Sequence, residues 1–398
     1  MGGSMSTTNL AYVTGSVIQW ARERVRKKRH EVAKRVKAPE ESVADWERGK
    51  SSPTLHQAQE LAKILHVPYG YLFLPTPPEE TVPLPDFRTI KSNKTEKPSA
   101  ELMDLLNDVI GKQQWYRDFL LDQGAEPLPF LRRFSISDDS LKVAEDIRST
   151  LEINHSLRQQ HAAWDSFLRS IIRRAESAGI LVMRSRVAPG RRHLSVEEFR
   201  GFAISDQIAP LVFINSRDWP TAQLFTLAHE LVHIWIGESG ISNENLGEPL
   251  LDQHNDIEQY CNRAAAEVLV PKDDFFSIWN KAMPLEDNLE RTANTFKVSA
   301  LVAMRRAFDL DQISWKEYRT RYQQHERDFK SKVDQLKTGR GNYIRSILAQ
   351  NGETFTSSIV QSALAGRVLY RDAARLLNVK VPAIERIAKY LDKPKEAA

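Results

Sequence analysis

Cysteine is almost missing from this chain: Cys261 is the only one in 398 residues. A single thiol excludes an intramolecular disulfide framework and suits a reducing compartment, so a cytoplasmic location is expected. No apolar run approaches the roughly 20 residues that span a bilayer, and no secretory signal is readable, so no membrane role is expected. Low-complexity tracts and regular repeats are lacking as well, which argues against solenoids and fibrous architectures. Nor is there a large excess of one charge: 56 Lys and Arg stand against 52 Asp and Glu, a net of +4. Contact with nucleic acid must therefore rest on local clustering. What is present, 41% hydrophobic and 27% charged residues, is ordinary for a globular protein, and the length allows two to three domains. Met1-Gly2-Gly3-Ser4 ahead of Met5 reads as an expression scar, so residues 1–4 are excluded from the fold.

The most informative stretch is His229-Glu230-Leu231-Val232-His233, within the apolar run from Leu224 to Ile236. Two histidines four residues apart on a helix project from one face, about one turn apart, and can share one tetrahedral Zn²⁺. Glu230 follows the first histidine directly. There it can act as general base toward a water at the metal, and later protonate the leaving amine. The helix is apolar almost all round, which predicts burial. Buried imidazoles and a carboxylate are costly unless something satisfies them, and a metal does. An H-E-x-x-H match arises by chance in roughly one protein in a hundred of this length, mostly on solvated helices. The continuation decides: Glu258 to Pro271 reads as a second helix ended by a proline. Glu258 can supply a third ligand and leave the fourth position open, and Asn262, one turn on, can orient a ligand. A third ligand on a second helix is the gluzincin pattern, with one Zn²⁺ per chain.

The segments Phe225–His233 and Glu258–Pro271 resemble the ImmA/IrrE family of bacterial metallopeptidases, whose members share a "TLAHELxH" helix and an "ExxANxxAAExLxP" helix. Cys261 stands where alanine is usual, as suits a small buried side chain. Arg200–Ile204 and Pro210–Asn215 resemble the strands before the family's metal helix. The resemblance covers roughly residues 165 to 310. Leu211, Val212, Phe213, Ile214 and Asn215 are expected to form an edge strand that aligns an extended peptide by strand addition. The oxyanion partner is not identifiable, although His254 and Tyr260 lie nearby in sequence.

Ahead of this region, residues 14 to 74 read as several short helices, with Thr54 as an N-cap and apolar spacing at Leu55, Ala58, Leu61, Ala62 and Leu65. Residues 30–36, a break at Lys37-Ala38-Pro39, and Glu40–Arg48 make a helix-turn-helix. Trp46-Glu47-Arg48-Gly49-Lys50, Pro53-Thr54-Leu55 and Val67–Phe73 make the segment resemble the Xre class of DNA-binding domains. That resemblance implies an operator, with residues 40 to 48 in the major groove and Arg29, Lys34, Ser42, Arg48 and Lys50 as contacts. Basic residues cluster from Arg22 to Lys37, but Glu40, Glu41 and Asp45 on the recognition helix repel phosphate. A helix-turn-helix kept for protein contact is the competing reading.

The expected fold is α+β and mostly helical, in the order N-terminal Xre-type helix-turn-helix, gluzincin-like zinc peptidase, C-terminal helical module. Residues 5–80 form the head, and 81–140 a proline-rich linker carrying the Pro85-Asp86-Phe87-Arg88 tract, then a long helix over 99–122. Two further helices over 140–178 lead into the peptidase, which occupies 141–310; a charged connector and helical tail fill 311–398. Leu289–Arg306 again reads helix, turn, helix. It packs a core or touches nucleic acid through Lys297, Arg305 and Arg306. The stretch Gly237–Asp256 has the length and acidity of a lid.

The resemblance implies a narrow regulatory protease. Several family members cleave a helix-turn-helix repressor and so switch on stress-response, mobile-element or defence genes. Proteins with this head-to-tail order are often encoded beside a PIN-like toxin. The chain is therefore expected to be a DNA-binding regulator with a zinc-dependent, site-specific endopeptidase domain, its protein substrate a repressor or a toxin partner. The alternative is an antitoxin-type repressor that binds operator DNA and a PIN-like toxin, with little or no proteolysis. Single-stranded DNA is an effector of some family members, and a homodimer is compatible with an operator-binding head.

Overall fold

The structure, a computed structural model, describes residues 9–85, 98–218, 222–243, 256–333 and 342–392. The residue 1–4 scar, Asp86-Phe87-Arg88 of the linker tract, His254 and residues 244–255 of the expected lid lie outside these segments. The chain divides into two compact units. One is built on Met1–Pro83 with Glu96–Leu106 and Gly190–Arg192, and the other on the remainder.

In the first unit, α1 (Gly15–Arg24), α2 (Arg29–Val36), α3 (Glu40–Glu47) and α4 (Leu55–Ile64) surround a core of Ile18, Val32, Val43, Trp46, Leu61 and Leu72. Lys37, in the left-handed conformation, ends α2, and Pro39 starts α3, so the turn between them is set locally. Thr54 caps α4 as the sequence predicts: its hydroxyl accepts from the Gln57 N–H, and the Gln57 side chain accepts from the Thr54 N–H.

The helix expected over 99–122 is α5 (Ala100–Leu121). After it come α6 (Ser140–Thr150), α7 (His155–Gln159) and α8 (Trp164–Ser177). The sequence reading expects two helices here. The third, α7, is a five-residue turn that Asn154 starts by accepting from the Leu157 N–H. Strands β1 (Leu181–Ser185), β2 (Val187–Ala188), β3 (Arg192–His193), β4 (Gly201–Ile204) and β5 (Leu211–Asn215) precede α9 (Gln223–Ile236), which carries His229 and His233. Strand β6 (Gly240–Ser242) follows it. Then come α10 (Asp256–Leu269), α11 (Lys272–Ile278), α12 (Leu285–Phe296), α13 (Ala300–Asp309) and α14 (Trp315–Val333). The tail holds α15 (Tyr343–Asn351), α16 (Glu353–Leu364), α17 (Tyr370–Leu376) and α18 (Pro382–Leu391).

The main sheet has the order β1-β5-β4-β6, with β1 and β5 parallel and the other pairs antiparallel. This corrects the expectation for Leu211–Asn215. Strand β5 is interior, paired on both sides, so its backbone has no edge to offer a peptide. All five of its residues are buried, as a central strand covered on both faces requires. The sheet's outer strands are β1 and β6. At β1, the N-terminal end of α16 approaches: Glu176 of α8 accepts from the Glu353 N–H, and Gly352 lies against the Val182 carbonyl. At β6, the Ile241 N–H donates to the Pro85 carbonyl at 2.9 Å.

Helix α9 is the centre of the second unit. All fourteen of its residues are buried, and α10, α6, α8, β4 and β5 pack against it. Phe130 stacks on Trp235 with ring centres 4.4 Å apart, and the indole N–H reaches Asp146 at 2.8 Å. Burying a side chain such as Leu227, Leu231 or Ile234 stabilises by about 1.5–3 kcal/mol each. Apolar burial on this scale holds polar groups in place that would otherwise be expelled. Gly237, at φ 81°, ends the helix in the left-handed conformation, where a side chain would be strained.

Candidate functional site

Four of the residues singled out by the sequence meet between α9 and α10. His229 and His233 lie one turn apart, with their Nε2 atoms separated by 3.1 Å. Glu258, near the start of α10, brings Oε2 to 3.1 Å from His229 Nε2 and Oε1 to 3.3 Å from His233 Nε2. Asn262, four residues on, places Oδ1 3.0 Å from His229 Nδ1. An amide oxygen can only accept, so His229 Nδ1 carries a proton there. In the neutral ring Nε2 is then a bare lone pair, aimed at a carboxylate and a second imidazole. All four side chains are buried.

This arrangement is unfavourable unless a cation lies within it. Neither oxygen of Glu258 has a hydrogen-bond partner among the described residues, although the side chain is only 3% exposed. A buried carboxylate without donors costs several kcal/mol. Burial also pushes His233 down from its ordinary value, which keeps that ring neutral. Two imidazoles and one carboxylate converging on one point are the donors a divalent metal takes.

Glu230, next to His229, is fully buried. Its surroundings reveal a residue that the sequence reading missed. A Cβ built on Gly201 of β4 would lie 2.6 Å from Glu230 Oε1 and 2.8 Å from Thr226 Cγ2. Glycine is needed there because the carboxylate approaches the strand backbone that closely. The signal available in the sequence was a glycine opening the apolar run Gly201-Phe202-Ala203-Ile204. Gly201 pairs with Ser242, so β6 runs beside the strand that faces Glu230.

A second side chain also joins the cluster: Cys261 Sγ lies within 4.8 Å of ring nitrogens of both histidines. Next to it, the buried Tyr260 hydroxyl is pushed up to about 12 by burial and by Asp138, Cys261 and Asp139.

In the first unit the expected DNA contacts divide. Lys34, Arg48 and Lys50 are exposed and Ser42 is half-buried. Arg29 gives its Nε to the buried Glu47 at 2.7 Å, so that donor is taken by an internal pair. Arg22 binds the same carboxylate at 2.5 Å, and Arg24 binds Glu80 and Asp104 at 2.7 and 2.6 Å. The Arg22–Lys37 cluster therefore presents less charge than its sequence suggests. Further on, Arg305 pairs with Asp309, and Arg306 with Glu267. Both arginines are buried, so α12 and α13 are a packing element; of the three basic residues considered there, Lys297 is half-buried at the end of α12.

Comparison with known families agrees with this division. The peptidase family model described as an IrrE N-terminal-like domain matches residues 175–308. A helix-turn-helix model matches residues 18–72, and a domain of unknown function matches 351–390. No curated protein matches the chain. The chain thus joins an Xre-type helix-turn-helix to a metallopeptidase-type domain of the IrrE kind, followed by helices.

Proposed function

We propose that this fusion of a helix-turn-helix head and an IrrE-type peptidase domain is a cytoplasmic regulator that binds operator DNA and cuts a partner protein with a zinc-dependent, site-specific endopeptidase. The observation that carries the enzymatic part is the convergence of His229, His233 and Glu258, with Glu258 lacking any donor. These three residues would hold one Zn²⁺, which when bound supplies a Lewis acid for the scissile carbonyl and lowers the pKa of water. Asn262 holds His229 in the tautomer that leaves Nε2 available. Glu230, kept in position by the room at Gly201, takes the proton of the attacking water and later delivers it to the leaving amine.

The substrate strand is reassigned to the outer edge of β6. A peptide added there pairs with β6, one strand removed from β4, whose Gly201 faces Glu230, and would take over the hydrogen bond that Ile241 gives to Pro85. The substrate class is an extended segment of a regulatory protein, either a helix-turn-helix repressor or a partner encoded with this chain. The head would meet operator DNA through Lys34, Ser42, Arg48 and Lys50.

The test has two arms. Protein purified without added metal should contain one zinc per chain by elemental analysis, and Glu230→Gln should keep that zinc while cleavage of the cognate protein falls by roughly two to four powers of ten. Undiminished cleavage by Glu230→Gln would remove the proposed mechanism. For the head, a mobility shift on the chain's own promoter should weaken steeply with salt, because neutralised phosphates release counterions. No shift at low salt would leave the head as a protein-contact module.

A further inference from the structure

We propose that Cys261 is a fourth ligand of the metal centre. The inference rests on the reading of His229, His233 and Glu258 as a zinc site. Cys261 follows Glu258 by three residues on α10, so the two side chains project from one face of the helix. It is completely buried, and its sulfur lies within 4.8 Å of a ring nitrogen of each histidine. A thiolate at about 2.3 Å and an imidazole at about 2.1 Å from one tetrahedral Zn²⁺ stand roughly 3.6 Å apart. To bind the same ion the sulfur would come at most about 1.2 Å closer to the ring nitrogens.

The demand for a cation at this point is independent of the cysteine. It comes from Glu258, whose buried oxygens have no hydrogen-bond partner and point at the same two nitrogens. Adding the thiolate gives one sulfur, two imidazole nitrogens and one carboxylate, a donor set that suits Zn²⁺. On binding, the sulfur exchanges its proton for the metal, and the proton passes to solvent. No oxidant or reductant is involved.

The consequence is functional. Three protein ligands leave a coordination position open, whereas four close the site. With Cys261 bound, the centre is a closed, resting one. With Cys261 withdrawn, the three-ligand arrangement of a peptidase is restored.

The test uses zinc-edge X-ray absorption on the full-length protein, with metal content measured in parallel. Wild type should show one sulfur at about 2.3 Å with nitrogen and oxygen at about 2.0–2.2 Å, and Cys261→Ala should show nitrogen and oxygen alone at the same zinc content. Should Cys261→Ala not fold, Cys261→Ser gives the same readout. A fully loaded wild type with nitrogen and oxygen only would overturn the thiolate ligand and leave the three-residue site standing. Sulfur retained in the variant would also overturn it. A wild type that takes up no zinc would overturn the metal site and the fourth ligand together.

Discussion

Two buried glutamates, one in each unit, meet opposite fates. Glu47 ends α3 in the head and is closed off internally, with Arg22 and Arg29 both donating to its carboxylate. Glu258 begins α10 in the peptidase and faces two imidazoles without a donor. The first carboxylate is complete within the protein, and its burial is structural. The second is incomplete, and its burial requires something the chain does not itself supply. Burial of charge alone thus says little about function; what the charge faces decides. Glu267 repeats the first case, since Arg306 and the Lys272 N–H reach it.

The comparison breaks most visibly on metal removal. A bound structural zinc contributes about 10–16 kcal/mol in small zinc domains. Even a fraction of that should make the peptidase unit melt at lower temperature with a chelator, while the head's transition stays unchanged. Differential scanning calorimetry with and without chelator checks this. Chelator-insensitive melting of both units would put Glu258 in the same class as Glu47.

Next in size is Glu47→Ala. Breaking a buried pair leaves uncompensated charge and typically costs about 3–5 kcal/mol. Chemical denaturation of the head should show the loss with or without chelator. The effect has a pH signature. Burial opposes the charge on Glu47, but the two arginines hold its carboxyl below the ordinary 4.5. Its contribution is therefore fully present above the unfolded value and disappears as pH falls through the lower folded value. Wild type should lose stability over that acid window, and Glu47→Gln should lose less.

Smaller effects sharpen the description of the second site. Asn262→Ala frees His229 to change tautomer and should weaken zinc binding by about 10–100-fold, measured by competition with a chromogenic chelator. Gly201→Ala puts a methyl group 2.6 Å from Glu230 Oε1, closer than the two can stand. The carboxylate is the mobile partner and should move. Cleavage should fall about tenfold or more, as misplacing a catalytic group does. Zinc content should be unchanged. A Gly201→Ala enzyme with wild-type kcat would show that Glu230 need not sit against β4.

Much of the site could be read from the chain, because its geometry is local. The spacing of His229 and His233, and that of Glu258 and Asn262, is fixed by the turn of a helix, and the apolar sequence around α9 already required burial. The Thr54 cap and the breaks at Lys37 and Pro271 are likewise set by immediate neighbours. The placement of β5 was read less well, although a clue was present. Leu211-Val212-Phe213-Ile214 is continuously apolar, the pattern of a strand covered on both faces, whereas an edge strand with one face to water alternates.

The sequence by itself determined the helix that carries His229 and His233, the second helix that faces it and the helix-turn-helix, since each depends on a repeat of a few residues. Tertiary structure alone decided which strand is the edge and that Glu47 claims Arg22 and Arg29. It also decided that Arg305 and Arg306 are buried, that Gly201 makes room for Glu230, and that Cys261 stands beside the histidines. These are pairings between residues far apart in the chain. No local periodicity encodes them, because they follow from which surfaces are left to pack once the helices and strands exist.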